Sequence, residues 1–282
     1  MKEGDSLRRI EMEYFDTYYF CSIAQYLMEE ADLDFASTLA EFTDQVTERE
    51  DFPKESYLHN FVEFMVERIL FEQNKYMASD IGDAINESGY NSVILEGHKV
   101  FQRKCFGDDY RYTTFELAIM HYHGTIEKMK EWIAENVEEN RFDYLEAAAE
   151  YTNYLEDNYY DVIDNIKREV LYLLFQNRNF LMHFNIFMSD ALEGKSIRKN
   201  LPQWVKRAVF YRDNGKCVIC QKDLSGLVDV EEDYEKQFDH IVPLEEGGLN
   251  DISNIQLMCC DCNRIKGTET YTSNVYRFLY DD

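Results

Sequence analysis

The sequence has 282 residues, of which 45% are hydrophobic and 15% aromatic, so it can form a packed core and does not have the composition of a disordered chain. No stretch approaches the roughly 18 apolar residues of a membrane span, and the charged N-terminus has no apolar signal core, so we expect a cytoplasmic protein without a membrane partner. The net charge of −26 excludes a generally basic nucleic-acid-binding surface, so phosphate contacts would need a local basic patch, a metal ion or a partner.

Residues 1–198 are predicted to form an acidic, all-helical domain. They contain 19 Lys and Arg against 40 Asp and Glu, a net charge of −21, whereas residues 199–282 contain 10 against 15, a net charge of −5. Apolar residues recur at helical spacing, and they include Leu58, Phe61, Met65 and Ile69 in one stripe and Tyr151, Leu155, Val162, Ile166 and Val170 in another. Residues 88–113 are predicted to be irregular or to contain short strands.

One motif in the helical region carries possible chemistry. Arg178 and His183 form an Arg-Asn-x-x-x-His pattern, which resembles the motif of HEPN-type helical ribonucleases. About one match of this kind is expected by chance in a chain of this composition, and the residues just before it are those of a core helix. We therefore favour a structural role for Arg178, with a two-activity protein that has an RNase-like helical half as an alternative.

A domain boundary is predicted between residues 198 and 199. The segment 193–202 contains both Gly and Pro and is more basic than the chain before it. Gln203 to Arg212 is then predicted to form a short helix. A cysteine-rich α+β segment follows, with turns at Asn214-Gly215 and Gly247-Gly248.

Four of the seven cysteines form two Cys-x-x-Cys pairs in this last segment, namely Cys217, Cys220, Cys259 and Cys262. In a cytosolic chain such pairs indicate a metal site, and two Cys-x-x-Cys pairs together make a closed tetrahedral site for a structural Zn²⁺. A small segment with a modest core benefits from such a cross-link. Cys260 breaks the spacing, and Cys21 and Cys105 are interpreted as ordinary core cysteines.

Several motifs lie between and after the cysteine pairs. They are Asp239-His240-Ile241-Val242-Pro243, the Gly247-Gly248 turn, Asn254-Ile255-Gln256-Leu257 and Cys259-Cys260-Asp261-Cys262-Asn263-Arg264-Ile265-Lys266-Gly267. Over residues 203–270 the sequence resembles the HNH endonuclease family. The resemblance implies the ββα-metal fold, in which a hairpin and a helix clasp a catalytic metal ion. The expected fold class of the whole chain is thus α+β, a mainly helical region followed by a zinc-bound ββα module.

The resemblance also implies roles for individual residues. His240 would be the general base that activates water, since histidine titrates near neutrality. Asp239 and Asn263 would bind a catalytic Mg²⁺ or Mn²⁺ through oxygen atoms, and Asn254 would brace the loop and orient His240. The third signature position is Asn263 here, where the family name has a histidine. The expected phosphate contacts are Arg207, Arg212, Arg264 and Lys266.

Together these features predict a metal-dependent HNH endonuclease that hydrolyses phosphodiester bonds in DNA. The acidic helical domain would regulate or target the nuclease, or bind a protein partner or a second copy of the chain. An acidic insertion at 229–235 could restrain activity near DNA by repelling phosphate. A role in bacterial defence against phage would suit such a protein. The non-enzymatic alternative is a zinc-bearing interaction protein with a degenerate module.

Overall fold

The computed structural model describes residues 11–29, 33–46, 48–70, 113–123, 132, 144–192, 194–226 and 236–276. The predicted irregular segment 88–113, except Thr113, lies outside the described residues, as do the acidic insertion 229–235 and Cys105. The chain divides into two compact units. The first comprises Met1–Phe15 and Phe64–Arg168, and the second comprises Asp16–Glu63 and Glu169–Asp282.

Helices dominate the described part of the chain. In chain order they are α1 (Thr17–Glu29), α2 (Leu33–Gln45), α3 (57–70), α4 (Thr114–His123), α5 (Tyr144–Gln176), α6 (Arg178–Ala191), α7 (Gln203–Arg212) and α8 (Cys260–Lys266). The strands are β1 (Lys236–His240) and β2 (Ile255–Cys259). Among the described residues, none of the helices combines the length and the apolar character that crossing a membrane requires.

In the first unit, one face of α5 is buried as its apolar spacing predicts. Tyr151, Leu155, Val162 and Ile166 are almost completely shielded from solvent. The Tyr151 hydroxyl donates a 2.8 Å hydrogen bond to Oε1 of Glu116, a buried carboxylate on α4. This bond satisfies two polar groups that would otherwise be costly to bury between α4 and α5.

The helical part of the second unit has an aromatic core. The ring of Phe61 on α3 lies 5.3 Å from that of Phe42 on α2 and 5.5 Å from that of Phe184 on α6, and all three are buried. Helix α1 packs against α6. The hydroxyl of Thr17 at the start of α1 donates a 2.6 Å hydrogen bond to buried Glu169 on α5.

The C-terminal part of the second unit is a strand–strand–helix motif. β1 and β2 pair antiparallel, with Lys236 opposite Cys259 and His240 opposite Ile255. Every residue of β2 is buried, whereas most of β1 is partly exposed. Helix α8 follows β2 directly and packs against both strands. The predicted α+β fold class is confirmed, with a small two-stranded sheet near the end of a mostly helical chain.

The core beneath this motif draws on residues that are distant in the sequence. Val205 and Val209 on α7 are buried with Leu257 on β2. Phe52, from the segment between α2 and α3, belongs to the same cluster, and Phe175 near the end of α5 packs against it. Side chains from the helical part of the chain therefore pack in the same core as the C-terminal motif.

A buried ionic node at Asp213 joins three elements. Its carboxylate accepts hydrogen bonds from Nε of Arg212 at 2.8 Å, from Nη1 of Arg178 at 3.4 Å and from the backbone N–H of Leu257 at 2.9 Å. Both guanidinium groups and the carboxylate are almost completely buried. Removing Asp213 would leave two buried guanidinium groups without a counter-charge, which is far more costly than losing a surface ion pair.

The predicted boundary between residues 198 and 199 lies within the second compact unit. Phe52, Phe175 and Arg178, all on the N-terminal side of that boundary, pack or bond with residues on its C-terminal side. That residues 199–282 form a domain able to fold by itself stays a prediction.

Candidate functional site

The four cysteines of the two Cys-x-x-Cys pairs converge in the structure. Cys217 and Cys220 lie in the turn after α7, Cys259 ends β2, and Cys262 lies in the first turn of α8. Their sulfur atoms all lie within 4.8 Å of one another. The Sγ atoms of Cys220 and Cys259 are 3.8 Å apart, which agrees with the ~3.8 Å edge of a tetrahedron with Zn–S distances of ~2.3 Å. The cluster could therefore hold a structural Zn²⁺.

Asp239 and His240 occupy the end of β1, where the strand meets α8. Nζ of Lys266 on α8 lies 2.9 Å from Oδ2 of Asp239 and donates a 2.9 Å hydrogen bond to the backbone carbonyl of His240. Asn263 precedes Lys266 by three positions, and residues three apart share one side of a helix. The helix therefore turns the side that carries Asn263 and Lys266 towards the end of β1.

His240 is buried, with 5% of its surface exposed, but it lines a cleft. Its Nε2 lies 3.1 Å from Oδ1 of Asn250. Burial lowers the pKa of His240 from its ordinary value, and it outweighs the opposite effects of the Asn250 hydrogen bond and of the neighbouring Asp239. The ring is consequently neutral near pH 7, the state in which an imidazole can accept a proton.

Asn254 cross-links the two ends of the loop between the strands. Its side chain donates 3.0 Å hydrogen bonds to the carbonyls of Val242 and Leu249 and accepts one of 2.8 Å from the N–H of Val242. Its backbone carbonyl accepts a further bond from Ile241. These contacts suit the predicted bracing role. The His240 ring, however, hydrogen-bonds to Oδ1 of Asn250, which was not among the predicted site residues.

The turn at Gly247-Gly248 closes the same loop tightly. The N–H of Gly248 donates a 3.0 Å hydrogen bond to the carbonyl of Pro243. A Cβ atom at Gly248 would lie only 2.0 Å from the carbonyl oxygen of Val242, so no other residue fits without moving the backbone. The glycine therefore permits the close approach that places Asn254 within reach of Val242.

An open cleft of about 390 Å³ lies beside Asp239 and His240. Lys195, Arg198 and Lys266 contribute basic side chains to its lining. Lys195 and Arg198 are exposed, and neither was among the predicted site residues. The signal was the basic character of the segment 193–202, which was interpreted only as a domain boundary.

The four predicted phosphate contacts lie in different environments. Arg207 on α7 and Arg264 on α8 are exposed, and Arg264 forms a 2.7 Å ion pair with Asp261. Lys266 is buried against Asp239 but reaches the cleft. Arg212 belongs to the buried node at Asp213, with 1% of its side chain exposed, so its position does not suit a direct phosphate contact.

The Arg178–His183 pattern is divided between the core and the surface. Arg178 is buried, pairs with Asp213, donates to the carbonyl of Val275 at 3.2 Å and lies 4.3 Å from the centre of the Tyr276 ring. His183 is about one-third exposed, and its Nδ1 lies 3.7 Å from Glu29. Arg178 thus has the structural contacts that we favoured, and it is not placed to meet RNA.

Comparison with known families agrees with the geometry. Residues 217–269 match the family model described as HNH endonuclease, so the predicted resemblance is confirmed for the C-terminal region. The match covers the cysteine cluster, both strands, Asp239, His240 and α8 up to Glu269 in the segment that follows it. Comparison of the chain with curated proteins found no match, and comparison with solved structures found none either.

Proposed function

We propose, on the premise that residues 217–269 form an HNH endonuclease domain, that the protein is a metal-dependent nuclease that hydrolyses phosphodiester bonds in DNA. The observation that carries the proposal is the position of buried His240 next to the carboxylate of Asp239 at the edge of one cleft. A proton acceptor beside a cation-binding carboxylate is the pair of groups that hydrolysis of a phosphodiester needs.

The residues at the end of β1 suit a divalent cation. Asp239 already has its Oδ2 atom 2.9 Å from the ammonium group of Lys266, so this oxygen faces a positive charge. Asp239 and Asn263 would hold Mg²⁺ or Mn²⁺ through oxygen atoms, the ligands that hard cations prefer. Such an ion supplies stabilisation of the negative charge that develops on the phosphate. His240 takes the proton of the attacking water, and Asn254 holds the loop that follows it.

The cysteine cluster has a separate, structural role in this proposal. Cys217, Cys220, Cys259 and Cys262 would bind one Zn²⁺ that fixes the turn after α7 to the junction of β2 and α8. A site with four cysteine ligands is closed to substrate. A cytoplasmic location, where thiols stay reduced and available to a metal ion, is part of the proposal.

The substrate would approach through the cleft and its basic rim. Lys195 and Arg198 line the cleft, and Arg207 and Arg264 are exposed on α7 and α8. Lys195, Arg198 and Lys266 give the cleft basic groups on a chain whose net charge is −26. We extend the proposal to phage defence, which rests on the combination of a nuclease domain with an acidic helical region. Binding of a partner or a second copy by that region stays a prediction.

The test is a cleavage assay with the purified full-length protein. Supercoiled plasmid, linear duplex DNA, single-stranded DNA and RNA are each incubated with Mg²⁺, with Mn²⁺ and with a chelator. We expect metal-dependent cleavage of DNA, and strong loss of it in Asp239→Ala. Folded, zinc-loaded protein that cleaves no DNA under these conditions would reject the proposal. It would favour a non-catalytic interaction protein, or an RNase if RNA alone is cut.

A further inference from the structure

A buried asparagine connects His240 to a carboxylate far away in the sequence. Asn250 is 1% exposed, and its Oδ1 faces Nε2 of His240 at 3.1 Å. Its Nδ2 atom donates hydrogen bonds to Oδ1 of Asp51 at 2.7 Å and to the carbonyl of Ile197 at 2.8 Å. Both N–H bonds of the amide are thereby used, and both partners are pure acceptors.

These two acceptors determine which end of the amide faces the histidine. A carboxylate and a backbone carbonyl can only accept hydrogen bonds, so they require the NH₂ end of Asn250 on their side. The Oδ1 end must then face His240, and an oxygen without a proton can only accept. The neutral His240 ring therefore carries its proton on Nε2, and Nδ1 keeps the free lone pair.

The Asp51 segment is held in place beside Asn250 by two further contacts. The backbone N–H of Phe52 donates a 2.7 Å hydrogen bond to the carbonyl of Asn250, and the Phe52 ring is buried in the core beneath the hairpin. Asp51 Oδ2 lies 3.4 Å from Nζ of Lys199. The Asp51 carboxylate is thus held in place by the Phe52 backbone and by Lys199, in addition to its hydrogen bond with Asn250.

We propose that Asp51 and Asn250 are positioning residues for His240, and that together they hold its neutral ring in the tautomer with the proton on Nε2. The catalytic consequence rests on the proposed nuclease function. In that reaction Nδ1 accepts a proton from water, the water oxygen forms the new bond to phosphorus, and the bond from phosphorus to the leaving oxygen breaks. A ring that carried its proton on Nδ1 could not accept a second proton there.

The first test observes the tautomer directly and needs no activity. The full-length, zinc-loaded protein is labelled with ¹⁵N-histidine, and two-bond ¹H–¹⁵N correlations are recorded at a pH where the ring is neutral. The His240 signals are identified by their loss in His240→Ala. We expect a ring protonated on Nε2 in the wild type. Asn250→Leu should produce a mixture of tautomers. Asp51→Leu should produce a smaller share of the second tautomer, because the Ile197 carbonyl still accepts from the amide, whereas Asp51→Asn, which keeps an acceptor oxygen, should retain the wild-type pattern.

The second test measures cleavage kinetics on the same variants. Asp51→Leu should lower kcat by about twofold to tenfold with little change in KM, because the rate falls with the share of the ring in the wrong tautomer. Asp51→Asn should recover most of that loss. Glu50→Leu, which removes an exposed neighbouring carboxylate, should match the wild type. Asp51 is itself 44% exposed, so its replacement tests the inference even if Asn250→Leu fails to fold.

The two proposals fail in distinguishable ways. A chain that cuts no nucleic acid but shows the expected tautomer and its partial loss in Asp51→Leu would reject the nuclease and keep the positioning pair. A wild-type His240 protonated on Nδ1 would overturn the inference, whatever the cleavage rate. A tautomer that Asp51→Leu and every folded Asn250 variant leave unchanged would overturn it as well.

Discussion

Asn254 shows how one side chain can hold a site without taking part in the chemistry. Asn254→Ala would leave the N–H and carbonyl of Val242 and the carbonyl of Leu249 without their buried partners. Each unpaired group costs about 1–3 kcal/mol, and partial relaxation should leave a total loss of about 2–4 kcal/mol in the free energy of unfolding. Urea unfolding of the zinc-loaded protein measures this loss.

The matched control for this prediction is Asn60→Ala. Asn60 is exposed on α3, and its replacement should change the free energy of unfolding by less than about 0.5 kcal/mol. Equal unfolding midpoints for the two variants would show that the Asn254 side chain does not brace the loop.

The predicted and observed environments of single residues differ for physical reasons. The motif residues Asp239, His240, Asn254 and Asn263 are recognisable because they lie within one short segment at fixed spacing. Asp51 carries no such signal, because 199 positions separate it from Asn250 in the chain. Arg212 was expected at the surface as a phosphate contact, but the adjacent Asp213 and the carbonyl of Ile255 hold its guanidinium in the core.

At the scale of elements, the turn after α7, the end of β2 and the start of α8 meet at four sulfur atoms. Cys262→Ser should reduce the zinc content from about one ion per chain to nearly none, because a structural site needs all four ligands. It should also lower the melting temperature, since the free energy of zinc binding is largely folding free energy. Elemental analysis and thermal melting monitored by circular dichroism measure the two effects.

Cys260→Ser is the matched control, because Cys260 is exposed and adjacent to the cluster without belonging to it. It should retain the zinc and the melting temperature of the wild type. Equal zinc content in Cys262→Ser and the wild type would contradict the assignment of the cluster.

The elements themselves were predictable to different degrees. The stripe that includes Tyr151, Leu155, Val162 and Ile166 predicts α5, because apolar residues at helical spacing must be buried on one side. The strand pair follows from the family resemblance, since two strands of five residues carry little signal alone. The packing of Phe52 beneath them is a tertiary contact that no local pattern indicates.

For the whole molecule, the contacts around the hairpin predict that residues 199–282 are less stable alone. Their isolation removes Asp51 from Asn250, Phe52 from the core and Arg178 from the buried carboxylate of Asp213. Asp213 keeps Arg212 as its counter-charge, but each buried polar group that loses its hydrogen-bond partner costs about 1–3 kcal/mol. Thermal melting of the zinc-loaded fragment should therefore show a much lower transition than that of the second unit in the full-length protein.

The same fragment tests restraint of the nuclease by the acidic helical region. Electrostatic restraint predicts that residues 199–282 cut plasmid faster than the full chain, most clearly at low salt, because screening over about 10 Å weakens repulsion at 0.1 M salt. Loss of the Asp51, Phe52 and Arg178 contacts predicts slower cutting instead. A fragment that melts like the full chain and cuts faster would contradict this account of the second unit and support restraint.

The central claim is that His240 is the proton acceptor of a metal-dependent nuclease, and one comparison tests it most directly. Plasmid cleavage is measured for the full-length wild type, His240→Ala and His183→Ala in the same Mn²⁺ buffer, with zinc content and melting temperature recorded for each. His183 is a control histidine on α6, paired with Glu29. The account predicts that His240→Ala lowers the rate at least about a hundredfold, while His183→Ala cuts like the wild type. Folded, zinc-loaded His240→Ala that cuts as fast as the wild type would contradict it.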